Sequence, residues 1–222
     1  MGYQLDFGAL AQYSGLFLEG TAVTLGLTAV ASILGIALGI AGAAASRSRY
    51  RWLRRTIAIY VELIRNTPFI VQMFFIFFGL PSLGLRFNAL TAAGLAMTIN
   101  LTAYAIEIVR AGLQAVPVGQ VEAGRGLGLR PLTIFGLIVL PQALANVYPA
   151  LIGQITITML ESAVVSQIAV VDLTHVADFI QSRNFRSFET YLIVTLVYLV
   201  LAVMMRRGMA HVGQRFTMGR QR

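Results

Sequence analysis

Residues 20–46 contain no charged side chain, and no other feature constrains the fold of this chain more strongly. A helix of that length, rising 1.5 Å per residue, crosses the roughly 30 Å hydrocarbon core of a bilayer. Hydrophobic residues make up 57% of the 222 positions and charged residues only 12%, about half the charged share of an average soluble domain. We therefore predict an all-α membrane protein that forms a single domain, residues 1–222.

Further apolar segments bring the number of predicted transmembrane helices to about five. In the first, Gly35 and Gly39 have the G-x-x-x-G spacing of membrane helices that pack closely on a neighbour. In the second, Pro68 is expected to bend the helix because a proline nitrogen has no hydrogen to donate. The five predicted helices are residues 20–46, 56–80, 89–113, 141–165 and 190–205.

The positions of the arginines predict how the chain is oriented. All 17 basic residues are arginines, and most of them fall in three clusters on one side of the predicted helices. Because cytoplasmic loops are enriched in basic residues, the N-terminus is expected outside and the C-terminus in the cytoplasm. The same rule accounts for the net charge of +8 without a nucleic-acid partner. The clusters are residues 47–55, 110–130 and 206–222, and the arginines on the opposite side are Arg86, Arg183 and Arg186.

Several kinds of chemistry are not expected on this chain. It has no cysteine, which excludes disulfides and thiol catalysis, and His175 and His211 lack the spacing of metal ligands. No nucleophile elbow or nucleotide-binding loop is present, so we predict a non-catalytic subunit with no cofactor or metal. Met1–Gly20 carries no basic residue, which is unlike a cleavable signal, and the first helix is expected to remain as an anchor.

A polar segment, EAGRGLGLRPLTIFGLIVLP at residues 122–141, interrupts the apolar sequence between the third and fourth predicted helices. Its pattern resembles the EAA motif of the membrane subunits of ABC importers, E-A-A-x-x-x-G followed nine residues later by I-x-L-P. The resemblance implies that loop 117–141 forms cytoplasmic coupling helices that bind an ATPase subunit. The alternative is an ordinary amphipathic connector. The motif positions are Glu122, Ala123, Gly124 (alanine in the family pattern), Gly128 and Pro141.

Other stretches resemble the polar amino acid branch of these importers. In that family two permeases, identical or paralogous, form the pore of a bacterial inner-membrane complex. Two ATPase subunits, which hold the ATP and Mg²⁺, dock on the cytoplasmic loops, and an extracytoplasmic binding protein delivers the amino acid. ATP binding switches the pore from inward-facing to outward-facing. The matching stretches are VELIRNTP at 61–68, VQMFF at 71–75, AYAIEIVR at 103–110, QAVPVGQVEA at 114–123 and PQA at 141–143.

Polar side chains on two predicted helices are candidates for a substrate pathway. Asn100, Tyr104 and Glu107 lie at i, i+4 and i+7 and share a face of the third helix. Gln154, Thr158 and Glu161 follow at i, i+4 and i+7 on the fourth. Because polar groups at membrane depth need a partner or a cavity, we predict a polar pathway between these helices. The alternative is hydrogen bonding between helices, which is common in membrane bundles.

A second candidate region contains Glu62, Arg65 and Pro68 on the second predicted helix. Glu62 and Arg65 lie at i and i+3, so they are predicted to form an ion pair beside the bend at Pro68. Glu107 and Arg110 have the same spacing on the third helix, where pairing and a functional role are equally compatible with the sequence. The group at 62–68 is interpreted as a gate or as a structural joint.

The nature of the substrate depends on Glu161. Where many relatives read LLKDTSLVS, this chain has Leu160 and Glu161 in place of the lysine and the aspartate. A carboxylate without its neighbouring cation favours a cationic amino acid, or else this permease is the half of a heterodimer that holds no substrate. An alternative from another class is an ATP-independent secondary transporter or channel for a small polar solute, and a third is a membrane anchor.

Overall fold

A computed structural model describes residues 5–218, so part of the last predicted arginine cluster lies outside the described residues. Within that range the regular structure is helical, with no β-strand. The α-helices are α1 Ser14–Ala45, α2 Arg51–Arg65, α3 Phe69–Phe74, α4 Ala89–Ala115, α5 Val118–Gly126, α6 Pro131–Thr133, α7 Leu140–Glu161, α8 Leu173–Asn184 and α9 Ser187–Met218. Short 3₁₀ segments occupy Gly8–Tyr13, Leu80–Leu83 and Ser162–Ile168, and π-helical segments occupy Phe75–Gly79 and Ile134–Val139.

Helical stretches that are long and apolar enough to cross a membrane confirm the predicted class. Between residues 5 and 218 there are four continuous ones, or five if α2 and the segment after it form one broken span. All five predicted spans therefore have a counterpart, although their ends differ. The continuous stretches are Gly8–Ala45, Ala89–Ala115, Pro131–Ile168 and Ser187–Gly213, and the broken one is Arg51–Arg65 with Phe69–Leu83.

The second predicted helix is interrupted at Pro68, where the sequence predicted a bend. Asn66 ends α2 with φ −100° and ψ 9°, outside the helical region. Pro68 is extended, with φ −63° and ψ 138°, and occupies the N-cap position of α3. A proline at this position needs no hydrogen-bond partner, because the first amides of a helix have none within the helix. The predicted bend is thus a complete break in the helix.

Each of the two π-helical segments is followed after one further residue by a proline that lies within helical structure. Phe75–Gly79 ends two residues before Pro81, and Ile134–Val139 ends two residues before Pro141. A proline nitrogen cannot donate to the carbonyl four residues back, so the helix widens into a π turn that accommodates the missing bond. The predicted start of the fourth helix at Pro141 agrees to one residue with α7, which begins at Leu140, and the continuous helical stretch extends back to Pro131.

The chain falls into two compact units. Each of the helices α1, α4, α7 and α9 is divided between them, with one stretch in the first unit and one in the second. The first unit contains residues 5–33, 67–98 and 156–205 of the described chain. Its core includes α8, which buries Leu173, Val176, Ala177 and Ile180 against α1, α9 and the N-terminal segment. The segment 166–188 therefore contains a short helix that is a packed part of this core.

The second unit contains residues 34–66, 99–155 and 206–218 of the described chain. In it α1 packs closely on α4, as the glycine spacing predicted. A Cβ added at Gly35 would lie 3.0 Å from Leu101, and one at Gly39 would overlap Ala105. Small residues allow two helix backbones to approach in this way. A further cluster joins α1, α4 and the start of α7: Ala43, Val109, Leu113, Val116, Ile134, Val139 and Ala143.

Candidate functional site

Helix α5 presents an unusual surface for a short connector. Glu122 and Ala123 are exposed, whereas Gly124, the next residue of the motif, is buried. Large apolar side chains follow in the same connector, with Leu127 78% and Leu132 85% exposed. Apolar side chains this exposed on a polar loop are typical of a surface that another protein covers.

The turn after α5 explains the motif glycine at Gly128. The Leu129 N–H donates to the Gly124 carbonyl at 3.1 Å, and the Gly128 N–H donates to the Arg125 carbonyl at 2.9 Å. These two bonds form the Schellman motif, which ends a helix with one residue in the left-handed conformation. Gly128 is that residue, with φ +72°, a value that side chains disfavour. The motif glycine thus fixes where α5 ends and how the chain leaves it.

The departure from the family pattern at Gly124 also has a structural reason. A Cβ added there would lie 3.0 Å from Ile134 Cγ1 and 3.3 Å from Ile138 Cδ1. These isoleucines come from the π-helical segment that follows α6, and they occupy the space that an alanine methyl group would need. Gly124 is therefore a packing position between α5 and this segment.

A cavity of about 620 Å³ lies in the second unit between α2 and α4. Its charged lining residues are three arginines and two glutamates, which is unusual for a segment of a predicted membrane helix. A space of this size and polarity is large enough for several water molecules or a small polar solute. The charged residues are Arg54, Glu62, Arg65, Glu107 and Arg110, and Asn66 and Tyr104 also line it.

Glu107 is the centre of the charge network in this cavity. Its Oε2 lies 3.2 Å from Arg65 Nη1, and its Oε1 lies 2.9 Å from Arg110 Nη2. The Arg65 guanidinium also lies 5.3 Å from the centroid of the Tyr104 ring, within range of a cation–π contact. Glu107 pairs with Arg110, which is one of the two alternatives that the sequence left open. The predicted partner of Arg65 is wrong: Arg65 pairs across helices with Glu107, and Glu62 belongs to none of the ion pairs among residues 5–218.

The residues predicted for a substrate pathway are placed in both units. Asn100, Tyr104 and Gln154 belong to the second unit, and Thr158 and Glu161 belong to the first. Asn100, Gln154 and Thr158 are buried, whereas Tyr104 and Glu161 are half-buried. Of the five, Tyr104 lines the cavity between α2 and α4. It does so with Glu62 and Arg65 of the predicted gate, so the cavity combines members of the two candidate regions.

Two buried carboxylates in the first unit were not singled out from the sequence. Asp172 accepts a hydrogen bond from the His175 N–H at 2.9 Å and so caps the N-terminus of α8. Burial raises the pKa of Asp172, and hydrogen bonds from the backbone of His175 and Thr174 and from Tyr198 offset this in part. An aspartate directly before a helical pattern of apolar residues is an N-cap signal that could have predicted α8.

Glu189 is the other buried carboxylate, with no exposed surface. Its Oε1 accepts from the Asp6 N–H at 3.0 Å and from Arg186 Nη1 at 3.1 Å. Arg186 also reaches the Asp6 carboxylate at 3.5 Å. The network ties the N-terminal segment to the start of α9, and since its partners are distant in sequence, spacing alone could not have predicted it.

Comparison with known proteins gives consistent matches over most of the chain. A sequence profile of the family described as binding-protein-dependent transport system inner membrane component matches residues 31–218. A putative glutamine transport system permease of Rickettsia conorii is 33% identical, covering 84% of this chain and 86% of that protein. An arginine transport system permease of Bacillus subtilis is 33% identical, covering 90% and 92%.

Solved structures agree with these matches. A crystal structure of an amino acid ABC transporter with histidines is 37% identical, with a TM-score of 0.88, and covers 96% of this chain and all 100% of its own. The methionine ABC transporter MetNI in an inward-facing conformation has a TM-score of 0.79 at 20% identity, covering 93% of this chain and 98% of its own. The second likeness concerns the fold alone.

Proposed function

Because the chain belongs to the family of binding-protein-dependent transport system inner membrane components, and so is a non-catalytic membrane subunit, we propose that it imports polar amino acids as an ATP-driven permease. Transport proceeds by alternating access, and loop 117–141 couples the membrane helices to a separate ATPase. Relatives named as glutamine and arginine permeases support the substrate class. The single observation that carries the proposal is α5, with its exposed apolar side chains and its fixed end at Gly128.

The coupling surface consists of Glu122, Ala123, Gly124, Gly128 and Pro141. Glu122 and Ala123 lie on the exposed side of α5, where they contact the ATPase directly. Gly124 and Gly128 act on the shape of the surface, Gly124 by close packing on Ile134 and Gly128 by ending the helix. Pro141 lies where the connector becomes α7, so it belongs to the element that carries movement into the membrane.

The partners of the permease follow from this role. The complex contains an ABC ATPase, which holds ATP and Mg²⁺, and a second permease that is a copy or a paralogue. An extracytoplasmic binding protein delivers the amino acid. The N-terminus is outside and the C-terminus is cytoplasmic, with the whole chain 1–222 forming one permease domain. Arginines 47–55 and the arginines around α5 support this orientation in the inner membrane.

The substrate pathway includes Asn100, Tyr104, Gln154, Thr158 and Glu161. The cavity between α2 and α4 supports a polar route, because Tyr104 shares it with charged residues that the bilayer core would not tolerate. Glu62, Arg65 and Pro68 form a gate in this scheme. Arg65 holds Glu107 from a helix that ends at the Pro68 break, so movement of α2 relative to α4 separates that pair.

Glu161 favours a cationic amino acid. It lies at the end of α7, half-buried, in a position where it can attract an ammonium or guanidinium group. Replacing Glu161 by Gln removes the charge and keeps the shape, so uptake of arginine is expected to fall at least tenfold more than uptake of glutamine, an interaction of about 1.4 kcal/mol. Competition assays with both labelled amino acids measure this. Equal losses for the two substrates would reject the selectivity.

The coupling proposal is tested by Gly128→Asp. Holding an aspartate at φ +72° costs about 1–2 kcal/mol, so the end of α5 is expected to rearrange. ATP-driven uptake in proteoliposomes should fall at least tenfold while the membrane helices stay folded. Gly126→Asp is the matched control, since it adds the same charge two residues away at a position without crowding or positive φ. Unchanged uptake by Gly128→Asp would reject the coupling role.

A self-sufficient secondary transporter or channel is the alternative. The exposed leucines of the α5–α6 connector argue against it, because a transporter that works without an ATPase needs no exposed apolar surface to bind one. Purification of the tagged chain from its native membrane separates the two. An ATPase that co-purifies, together with ATP-dependent uptake, supports the importer. Uptake by the chain alone, driven by an ion gradient without ATP, would establish the alternative.

A further inference from the structure

The segment that joins α1 to α2 concentrates positive charge. It carries arginines at positions 47, 49, 51, 54 and 55, and no carboxylate lies anywhere between Glu19 and Glu62. All five arginines are exposed. The segment starts two residues after the apolar stretch Gly8–Ala45 ends, so its charges lie where a membrane span leaves the hydrocarbon.

The charge of this segment is not neutralised by the described part of the chain. None of the ion pairs among residues 5–218 includes one of the five arginines. Arg47 donates to the Leu113 carbonyl at 3.2 Å, and Arg49 donates to the Tyr50 hydroxyl at 2.8 Å. Both partners are neutral. Arg54 lines the cavity that also contains Glu62 and Glu107, so the other four positive charges remain available to an anion.

Helix α2 adds an apolar surface beside the basic one. Arg51, Arg54 and Arg55 are spaced at i, i+3 and i+4 and share one face. A neighbouring face presents Trp52, Ile59 and Leu63, all exposed, with Trp52 at 67%. A third face is buried through Val61 and Ile64. An exposed apolar face next to a basic face is the pattern of helices that lie at the boundary between headgroups and acyl chains.

We propose that residues 47–55 bind the headgroups of anionic phospholipids in the adjacent leaflet. The arginine guanidinium presents paired donors that fit phosphate oxygens, and clusters of basic residues next to a span attract anionic lipid. Trp52 and Tyr50, both exposed, supply the aromatic side chains that are enriched at this depth. An acidic protein surface would also have to cover Ile59 and Leu63, whereas acyl chains cover them without any further partner.

The chain contains its own probe for this site, because Trp52 is its only tryptophan. The purified full chain is reconstituted in mixtures of phosphatidylcholine and phosphatidylglycerol, with bromine on the acyl chains of one lipid at a time. Bromine quenches tryptophan on contact. Brominated phosphatidylglycerol is expected to quench Trp52 more strongly than brominated phosphatidylcholine. The binding constant for phosphatidylglycerol should exceed that for phosphatidylcholine by at least about fivefold, which is the effect of one basic residue near a charged surface.

Three variants identify the cause of the preference. The triple change Arg49→Gln, Arg51→Gln and Arg55→Gln should reduce the ratio of binding constants to about one. Arginine-to-lysine changes at the same positions keep the charge and should retain most of the ratio. Arg206→Gln with Arg207→Gln removes positive charge at the other end of the described chain and should leave the ratio unchanged.

The outcomes decide the proposal even if the triple variant is unstable. Raising the salt concentration around the unaltered protein should weaken the preference, because headgroup attraction is screened. Equal quenching by the two lipids would overturn the proposal. The arginines would then only determine the orientation of the chain in the membrane. Absence of quenching by either lipid would also overturn it, since a protein partner would then cover Trp52. A single cysteine at Ser48→Cys, in a chain with none, reports whether every variant keeps its orientation.

Discussion

The two compact units both hold carboxylates in polar networks, but they hold them in different ways. In the second unit, Glu107 remains 28% exposed, and both of its ion-pair partners are arginine side chains. In the first unit, Glu189 and Asp172 have no exposed surface, and each accepts a hydrogen bond from a backbone N–H. A backbone donor cannot leave unless the chain refolds locally, whereas a long arginine side chain can change rotamer.

This difference separates structure from proposed function. A buried carboxylate that is fixed by backbone donors stabilises one conformation, and losing it leaves unsatisfied donors. Glu107 shares a cavity with Glu62 and Arg54, which belong to no ion pair in the described chain, so its partners can be exchanged. We therefore expect changes at Glu189 and Asp172 to affect mainly stability, and changes at Glu107 to affect mainly transport.

The largest expected effect on stability is that of Glu189→Ala. Removing this buried carboxylate takes away an acceptor of the Asp6 N–H and of the Arg186 guanidinium. Breaking a buried ion pair costs about 3–5 kcal/mol, and we expect the lower end because Arg186 keeps Asp6 at 3.5 Å. Unfolding monitored by circular dichroism in detergent measures the loss. Glu189→Gln, which retains a neutral acceptor, should lose less, and equal losses would mean that the charge and not the acceptor oxygen provides the stability.

A smaller loss is expected for Asp172→Ala. This change removes the N-cap of α8 and the hydrogen bond from the Tyr198 hydroxyl at 3.3 Å. Losing an N-cap costs about 1 kcal/mol, and losing the bond from Tyr198 adds less, because its hydroxyl keeps the Thr174 hydroxyl as a partner at 3.0 Å. Asp172→Asn keeps an N-cap residue and should cost less than half of that. If the two variants lose the same stability, the cap does not stabilise α8.

The same position predicts a dependence on pH. Burial raises the pKa of Asp172 above its ordinary value of 3.8, so the folded state binds a proton more tightly than the unfolded state. The corresponding stability is fully present below pH 3.8 and is lost as the pH rises through the folded-state pKa. The unaltered chain should therefore lose stability relative to Asp172→Asn across that interval. A constant difference would mean that the pKa of Asp172 is the same in the folded and unfolded states.

The sequence predicts much of this fold because its main determinants are local. Apolar stretches with few or no charges identify the spans, a proline identifies the break at Pro68, and the spacing of Gly35 and Gly39 identifies a close contact. The end of α5 is also local, since the Schellman bonds that require Gly128 join residues at most five positions apart. Motifs of this kind combine residue type and spacing, and the sequence states both.

The sequence fails where a side chain chooses between partners. Spacing paired Arg65 with Glu62 on its own helix, but the structure pairs Arg65 with Glu107 on another. Periodicity states which residues share a face, and it does not state which face of another helix they meet. The π turn before Pro141 was missed for a related reason, because a proline can end a helix or widen it, and packing decides which.

The smallest expected effects on stability come from the cavity network, where each ion pair is partly exposed. Arg65→Gln and Arg110→Gln should each change the free energy of unfolding by less than about 1 kcal/mol, because the other arginine still neutralises Glu107. The double variant should lose more than the sum, since Glu107 then remains without a cation. Uptake should fall in Arg65→Gln more than in Arg110→Gln, because Arg65 joins two helices while Arg110 is on the same helix as Glu107. Losses of stability as large as that of Glu189→Ala would show that the two units do not differ in the proposed way.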